Sequence, residues 1–323
     1  MKKIIALVSF LLMISCSKKK DEPTGPSQLS KEQALSMIAT QTITDMDDYV
    51  RINAWRGGYF VFKEHPSLEP YKKQINKVLE ITSGCGDPPI QGDQTDNDGD
   101  EIPLNAWFDL NCDTTINFGD GTQRIVYQGR VRGEDPNDNP NDPNSKWIGK
   151  VTVNNPSRQD QLFKMRFEIN NQQQNFFIEW LFRYTISTNR QGNNYSVLLN
   201  ENISLIFPDS LGNPQSFGPL NINYNIVFTS NDPNWYPDSS YLSGSLSLTG
   251  NFQYQNETWA INTPQPLQYS KQCVIDNEPM PLGGTLRYQY QQEEIRAVFT
   301  SCGQCTIYYN NQVIGSCETG PVY

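Results

Sequence analysis

The densest set of chemistry-bearing side chains in this 323-residue chain is Asp93-Gln94-Thr95-Asp96-Asn97-Asp98-Gly99-Asp100-Glu101-Ile102-Pro103. Carboxylates recur there at every second residue of a turn-forming stretch. Hard divalent cations, Ca²⁺ above all, are held by such clusters of oxygen ligands on a flexible loop. Asp96, Asp98 and Asp100 are the expected ligands, with Asp93 as a further candidate. Without an ion, the same residues read as an Asp/Asn-rich surface turn pinned by a neighbouring disulfide. Both readings stand at this level.

Asp96, Asp98 and Asp100, with Gly99 and the following Ile102-Pro103, resemble the calcium loops of thrombospondin type 3 repeats over about ten residues. The resemblance implies an ion, and no activity. It departs twice: Glu101 stands in place of the usual glycine, and Leu104 in place of a further acidic ligand. The EF-hand template fits less well. With Gly99 at its glycine position, Gln94 comes first and Asn105 last, so the bidentate glutamate is missing. A second acidic stretch, Glu134-Asp135-Pro136-Asn137-Asp138-Asn139-Pro140-Asn141-Asp142, reads as solvated turns, because proline and asparagine mark turns.

Of the 7 cysteines, Cys16 stands apart in an N-terminal context. Cys85, Cys112, Cys273, Cys302, Cys305 and Cys317 are expected as structural disulfides in an oxidising compartment. Proximity favours Cys85 with Cys112. Thr306 to Tyr309 and Val313 to Ser316 read as strands around Asn310-Asn311-Gln312, which sets Cys305 nearly opposite Cys317. The rival for this group is a four-thiolate zinc site of Cys273, Cys302, Cys305 and Cys317. A thioredoxin-type role for Cys302-Gly303-Gln304-Cys305 fits poorly, since strands rather than a helix start surround it.

Common catalytic machinery is largely missing. The single histidine is His65, before Pro66, and no G-x-S-x-G, H-E-x-x-H, Walker or Rossmann pattern occurs. Paired carboxylates remain, and Glu168, Glu179 and Glu201 fall in expected strands. A glycosidase-like role would need two of them facing across a cleft. No catalytic residue is assigned.

The elements that must position these groups are read from periodicity. From Leu104 onward the period is two, clearest in Leu242, Gly244, Leu246, Leu248, Gly250, Phe252 and Tyr254. It recurs in Met165, Phe167 and Ile169, in Ile222, Tyr224, Ile226 and Phe228, and in Leu286, Tyr288 and Tyr290. One apolar and one wet face, with turn signals at Asn170 to Asn175, Asn189 to Asn194 and Asp209 to Pro214, predict an antiparallel meander. The expected fold is mainly β: a large antiparallel sheet of roughly ten or more strands, as a sandwich or partly open barrel. Two short helices should precede it, one opening at the capping box Ser30-Lys31-Glu32-Gln33 and one over Ser67 to Ile81. An outer-membrane barrel shares the alternation, but the cysteines, the lipid anchor argued next and the lack of aromatic girdles speak against it.

Lys2 and Lys3, an apolar run from Ile4 to Ile14, and Ser15 before Cys16 make a signal peptide, too short for a permanent span. Leu12-Met13-Ile14-Ser15-Cys16 resembles the lipobox of bacterial lipoproteins, with Met13 where leucine is more usual. The resemblance implies cleavage before Cys16 and lipidation of its thiol, and acyl chains of this kind anchor a protein stably. The expected organisation is a signal peptide over 1–15, a flexible tether over 16–29, a helical lead-in over 30–84 and a disulfide-stapled β domain over 85–323. Ser17 and Lys20-Asp21-Glu22 point toward the outer membrane, periplasmic or surface-exposed.

A formal net charge of -10 with no basic stripe argues against nucleic acid. The function expected is a non-catalytic, membrane-anchored binding module for a glycan, a protein or matrix, with Ca²⁺ as its one candidate cofactor. Trp107, Trp147, Trp180, Trp235 and Trp259 are the candidate sugar platforms, against the commoner buried use of tryptophan. A carrier of lipid or another apolar ligand, and a carboxylate hydrolase, are the alternatives.

Overall fold

The computed structural model describes residues 88–318 except 101, 119–120, 172–174, 209–213, 233–242, 255, 271–272, 274–280 and 303. The expected signal peptide, tether, both helices, Cys85 and Trp235 lie outside the described residues. Among the described residues, no helix is long and apolar enough to cross a membrane.

Alternating polar and apolar side chains produce strands throughout. They are β1 (Gln91–Asp93), β2 (Asn105–Phe118), β3 (Gly121–Glu134), β4 (Gly149–Asn154), β5 (Phe163–Asn171), β6 (Asn175–Gln191) and β7 (Asn194–Pro208). Then follow β8 (Pro214–Ser230), β9 (Gly244–Tyr254), β10 (Glu257–Tyr269), β11 (Gly283–Tyr290), β12 (Glu293–Ser301), β13 (Gln304–Tyr309) and β14 (Gln312–Glu318). One 14-stranded sheet joins them, nearly all in sequence order, and every pairing is antiparallel. β4 and β5 both bridge β3 and β6, at different heights. Among the described strands β1 and β14 have one neighbour each, so the ladder is open.

The register stacks apolar residues into rows on one face. Ile186, Leu199, Tyr224, Gly250, Ile261, Tyr288, Ile295 and Tyr309 lie opposite one another in turn across β6 to β13. An adjacent row holds Ile222, Phe252, Trp259 and Tyr290. There Phe252 stacks on Trp259 at 6.1 Å and meets Tyr288 edge-on at 5.9 Å. Phe228, Leu246, Leu248, Phe252 and Trp259 are all fully buried. A second cluster of Val153, Phe163, Met165 and Trp180 lines the β4 to β6 region.

One glycine in this face is required by its surroundings. Gly250 has φ +155°, and a Cβ there would stand 2.0 Å from the Asn223 carbonyl oxygen on β8. At the far end, Asn310 and Asn311 take positive φ of 46° and 67° in the tight β13–β14 turn, as the Asn-Asn sequence suits.

Candidate metal centre

β2 and β3 are each 14 residues long and pair in register from Phe118 opposite Gly121 to Asn105 opposite Glu134. The chain entering β2 and the chain leaving β3 therefore emerge side by side. The first is the Asp93 to Pro103 loop and the second the Glu134 to Asp142 loop. Their backbones are joined where the Asp135 N–H donates to the Pro103 and Leu104 carbonyls at 3.2 and 3.3 Å.

The loop before β2 is wound around its own carboxylates. Asp96 Oδ1 accepts from the Gly99 and Asp100 amides at 2.7 and 3.2 Å, and Gly99 takes φ +73° to close the turn. Asp98 Oδ1 accepts from the Asp100 amide at 3.2 Å, and Asp100 Oδ1 from the Ile102 amide at 2.7 Å. Ile102 then enters the main core beside Trp147.

The second loop corrects the expectation of simple solvation. Asp135 is only 1% exposed. Asp138 reaches across 40 residues of sequence to accept the Asp98 amide at 3.0 Å, and it also accepts the Asn97 amide and side-chain NH₂. Sequence reasoning missed both residues because turn-forming composition alone does not say what a turn folds onto. The signal that could have found them is the equal length of the two strands that carry the loops.

Two overlapping sets of carboxylates result. In each of Asp96/Asp98/Asp100 and Asp98/Asp135/Asp138, one oxygen per residue lies within 4.8 Å of the others. That spacing is close to the separation of oxygens sharing one Ca²⁺ at roughly 2.4 Å, so each set is sized for a single ion. The decisive detail is atomic. Asp98, Asp100 and Asp135 each use Oδ1 for a backbone amide, while their Oδ2 atoms are buried with no hydrogen-bond partner. An isolated buried carboxylate oxygen is strongly disfavoured unless a cation or proton meets it.

Electrostatics carries the same strain. Burial, followed by repulsion from Asp98, Asp135 and Asp96, pushes the Asp100 carboxyl up to about 7 against the pull of the Ile102 amide. Asp135 is raised for the same reasons, with Asp98, Asp138 and Asp96 as its charged neighbours. The donors are all hard oxygens, with no thiol or imidazole among them, which suits Ca²⁺ rather than Zn²⁺. Asp93 stands outside both sets. It is exposed, and its carboxylate accepts from the Thr95 amide and hydroxyl at 3.0 and 2.6 Å.

No family model, curated protein or solved structure matches this chain.

Cys273 and Cys302 form a disulfide, with Cα atoms 5.5 Å apart. Cys112 and Cys305 are each disulfide-bonded as well, and Cys305 stands opposite Cys317 in register. Oxidised sulfurs are not thiolate ligands, which overturns the zinc alternative. Glu168 and Glu179 both pair with Arg166, and Lys164 adds a second cation to Glu179 at 3.0 Å. Glu201 is buried on β7 opposite Tyr184 and Ile222. Trp147, Trp180 and Trp259 are buried in the cores and offer no sugar platform. Trp107 is half-buried on the other face, with Arg130 over its ring at 5.3 Å.

Proposed function

We propose that this protein is a non-catalytic, lipid-anchored binding module outside the bacterial cytoplasm, whose loop end is organised by calcium. The observation that carries the calcium part is the set of three buried carboxylate oxygens, on Asp98, Asp100 and Asp135, that have no partner. A cation held there would tie the loop before β2 to the loop after β3. Asp98, shared by both carboxylate sets, would be its central ligand. Anchoring through Cys16 rests on the lipobox resemblance, and a binding role is favoured by the absence of common catalytic motifs. The fully buried side chains of the apolar face favour this reading over an apolar-ligand carrier, because they already fill that face.

Calorimetric titration of the purified full-length protein with CaCl₂ after EGTA treatment tests the metal. The expected result is saturable binding that Asp98→Asn and Asp135→Asn each weaken by about tenfold or more, as loss of a charged ligand should. Binding unaffected by Asp135→Asn would contradict the two-loop centre, and no binding at millimolar Ca²⁺ would contradict calcium altogether.

A further inference from the structure

We propose that the polar face carries a cleft for an acidic oligosaccharide, centred on Arg183. This rests on the reading of the chain as a binding module, and not on calcium. The cleft, of about 570 Å³, crosses β3, β4, β6, β7 and β8 on the face opposite the main core. Its floor is built by register: Thr152 faces Thr185, Thr185 faces Asn200, and Arg183 faces Asn202. Hydrogen-bonding side chains thus repeat at strand spacing, about 4.8 Å apart.

The ends and the middle of this floor differ. At one end Arg130 is engaged by Asp109 at 2.7 and 2.9 Å, and at the other Asn202 donates to Asn221 at 2.6 Å. Lys150 is held by Glu134 at 2.9 Å. In the middle, the side chains of Thr152, Asn154, Arg183, Thr185 and Asn200 have no hydrogen bond or ion pair to any described residue. Arg183 is exposed there, whereas Arg124, Arg132, Arg166 and Arg296 on the same sheet all have carboxylate partners. Five unengaged side chains in register make an unused recognition surface.

Their chemistry defines the ligand. Amides and hydroxyls match a molecule rich in hydroxyl groups, and a guanidinium matches a carboxylate bidentately. Arg130, Arg132, Lys150 and Arg183 share this face with Glu134, four cations against one carboxylate, on a chain whose net charge is -10; Glu201, which also borders the cleft, alternates with Asn200 and Asn202 and is buried toward the apolar face. That modest surplus suits a sparsely charged chain. A dense polyanion such as nucleic acid would need many more cations and would meet Glu134. An oligosaccharide with a carboxylate on alternate sugars fits these terms.

The test is calorimetric titration of the full-length protein in detergent with a hyaluronan hexasaccharide, and with maltohexaose as the neutral counterpart. Hyaluronan is expected to bind and maltohexaose to bind at least about tenfold more weakly, the worth of one charge-assisted contact. Arg183→Ala should weaken hyaluronan by a similar factor, while Lys146→Ala, which removes an exposed cation outside the cleft, should not. No binding at millimolar hyaluronan, or equal losses in the two variants, would overturn the cleft. Each titration is run in EGTA and in CaCl₂. Calcium uptake without hyaluronan binding overturns the cleft alone, and hyaluronan binding without calcium uptake overturns the metal centre alone.

Discussion

At the scale of single residues, two kinds of aspartate behave differently in one short loop. Asp93 is exposed, hydrogen-bonded to Thr95 and held below the usual carboxylate range by that threonine. Asp100 is buried among like charges and raised to about 7. Its folded pKa lies above its unfolded value of 3.8, so the metal-free folded state binds the extra proton. By linkage, the stability this group contributes is fully present below the unfolded value and is lost as pH rises through about 7. Calcium needs the ionised form, so its uptake should release protons near neutral pH and tighten as pH rises. Titrations at pH 5.5 and pH 8 in buffers of different ionisation enthalpy check this. Affinity that is equal at both values, with no proton release, would mean that Asp100 is not a ligand. That Asp96, Asp98 and Asp100 gather was legible in the sequence, because a turn brings carboxylates at alternate residues close together. Asp135 and Asp138 were not, since prolines and asparagines around them read equally well as hydrated loop.

At the scale of elements, the period-two pattern carried the meander faithfully. The turn signals at Asn170 to Asn175, Asn189 to Asn194 and Asp209 to Pro214 all lie at junctions of strands that pair with each other. The hairpin around Asn310 set Cys305 opposite Cys317, as its sequence implied. Register was less legible, because alternation fixes which face a side chain takes but not which neighbour it meets. That gap hid both the pairing of the two acidic loops and the rows of amides on the polar face. Gly250 is the element-level test of the observed register. Its place opposite Tyr224 brings it against the β8 backbone, so Gly250→Ala should destabilise by about 3 kcal/mol, the upper end for overpacking. Urea denaturation measures it, and a variant as stable as the parent would argue against this β8–β9 register.

At the scale of the whole molecule, the described residues form one broad sheet with a buried apolar face and a polar face lined by amides, hydroxyls and charged groups, and the proposed anchor would tether it through Cys16. Anchoring makes a simple prediction: Cys16→Ser should move the protein from the membrane fraction to the soluble one, and persistent membrane association would contradict a lipid anchor. The central claim is that a cation joins the two loops, and thermal unfolding of the full-length protein tests it most directly. A ligand bound only by the folded state raises apparent stability by about 2.7 kcal/mol at a hundredfold excess over Kd. The melting midpoint should therefore rise when CaCl₂ replaces EGTA. Asp135→Asn should raise the midpoint in EGTA, by removing a buried charge, and shrink the rise with calcium to about half or less. A wild-type midpoint that is the same in EGTA and in millimolar CaCl₂ would contradict the account.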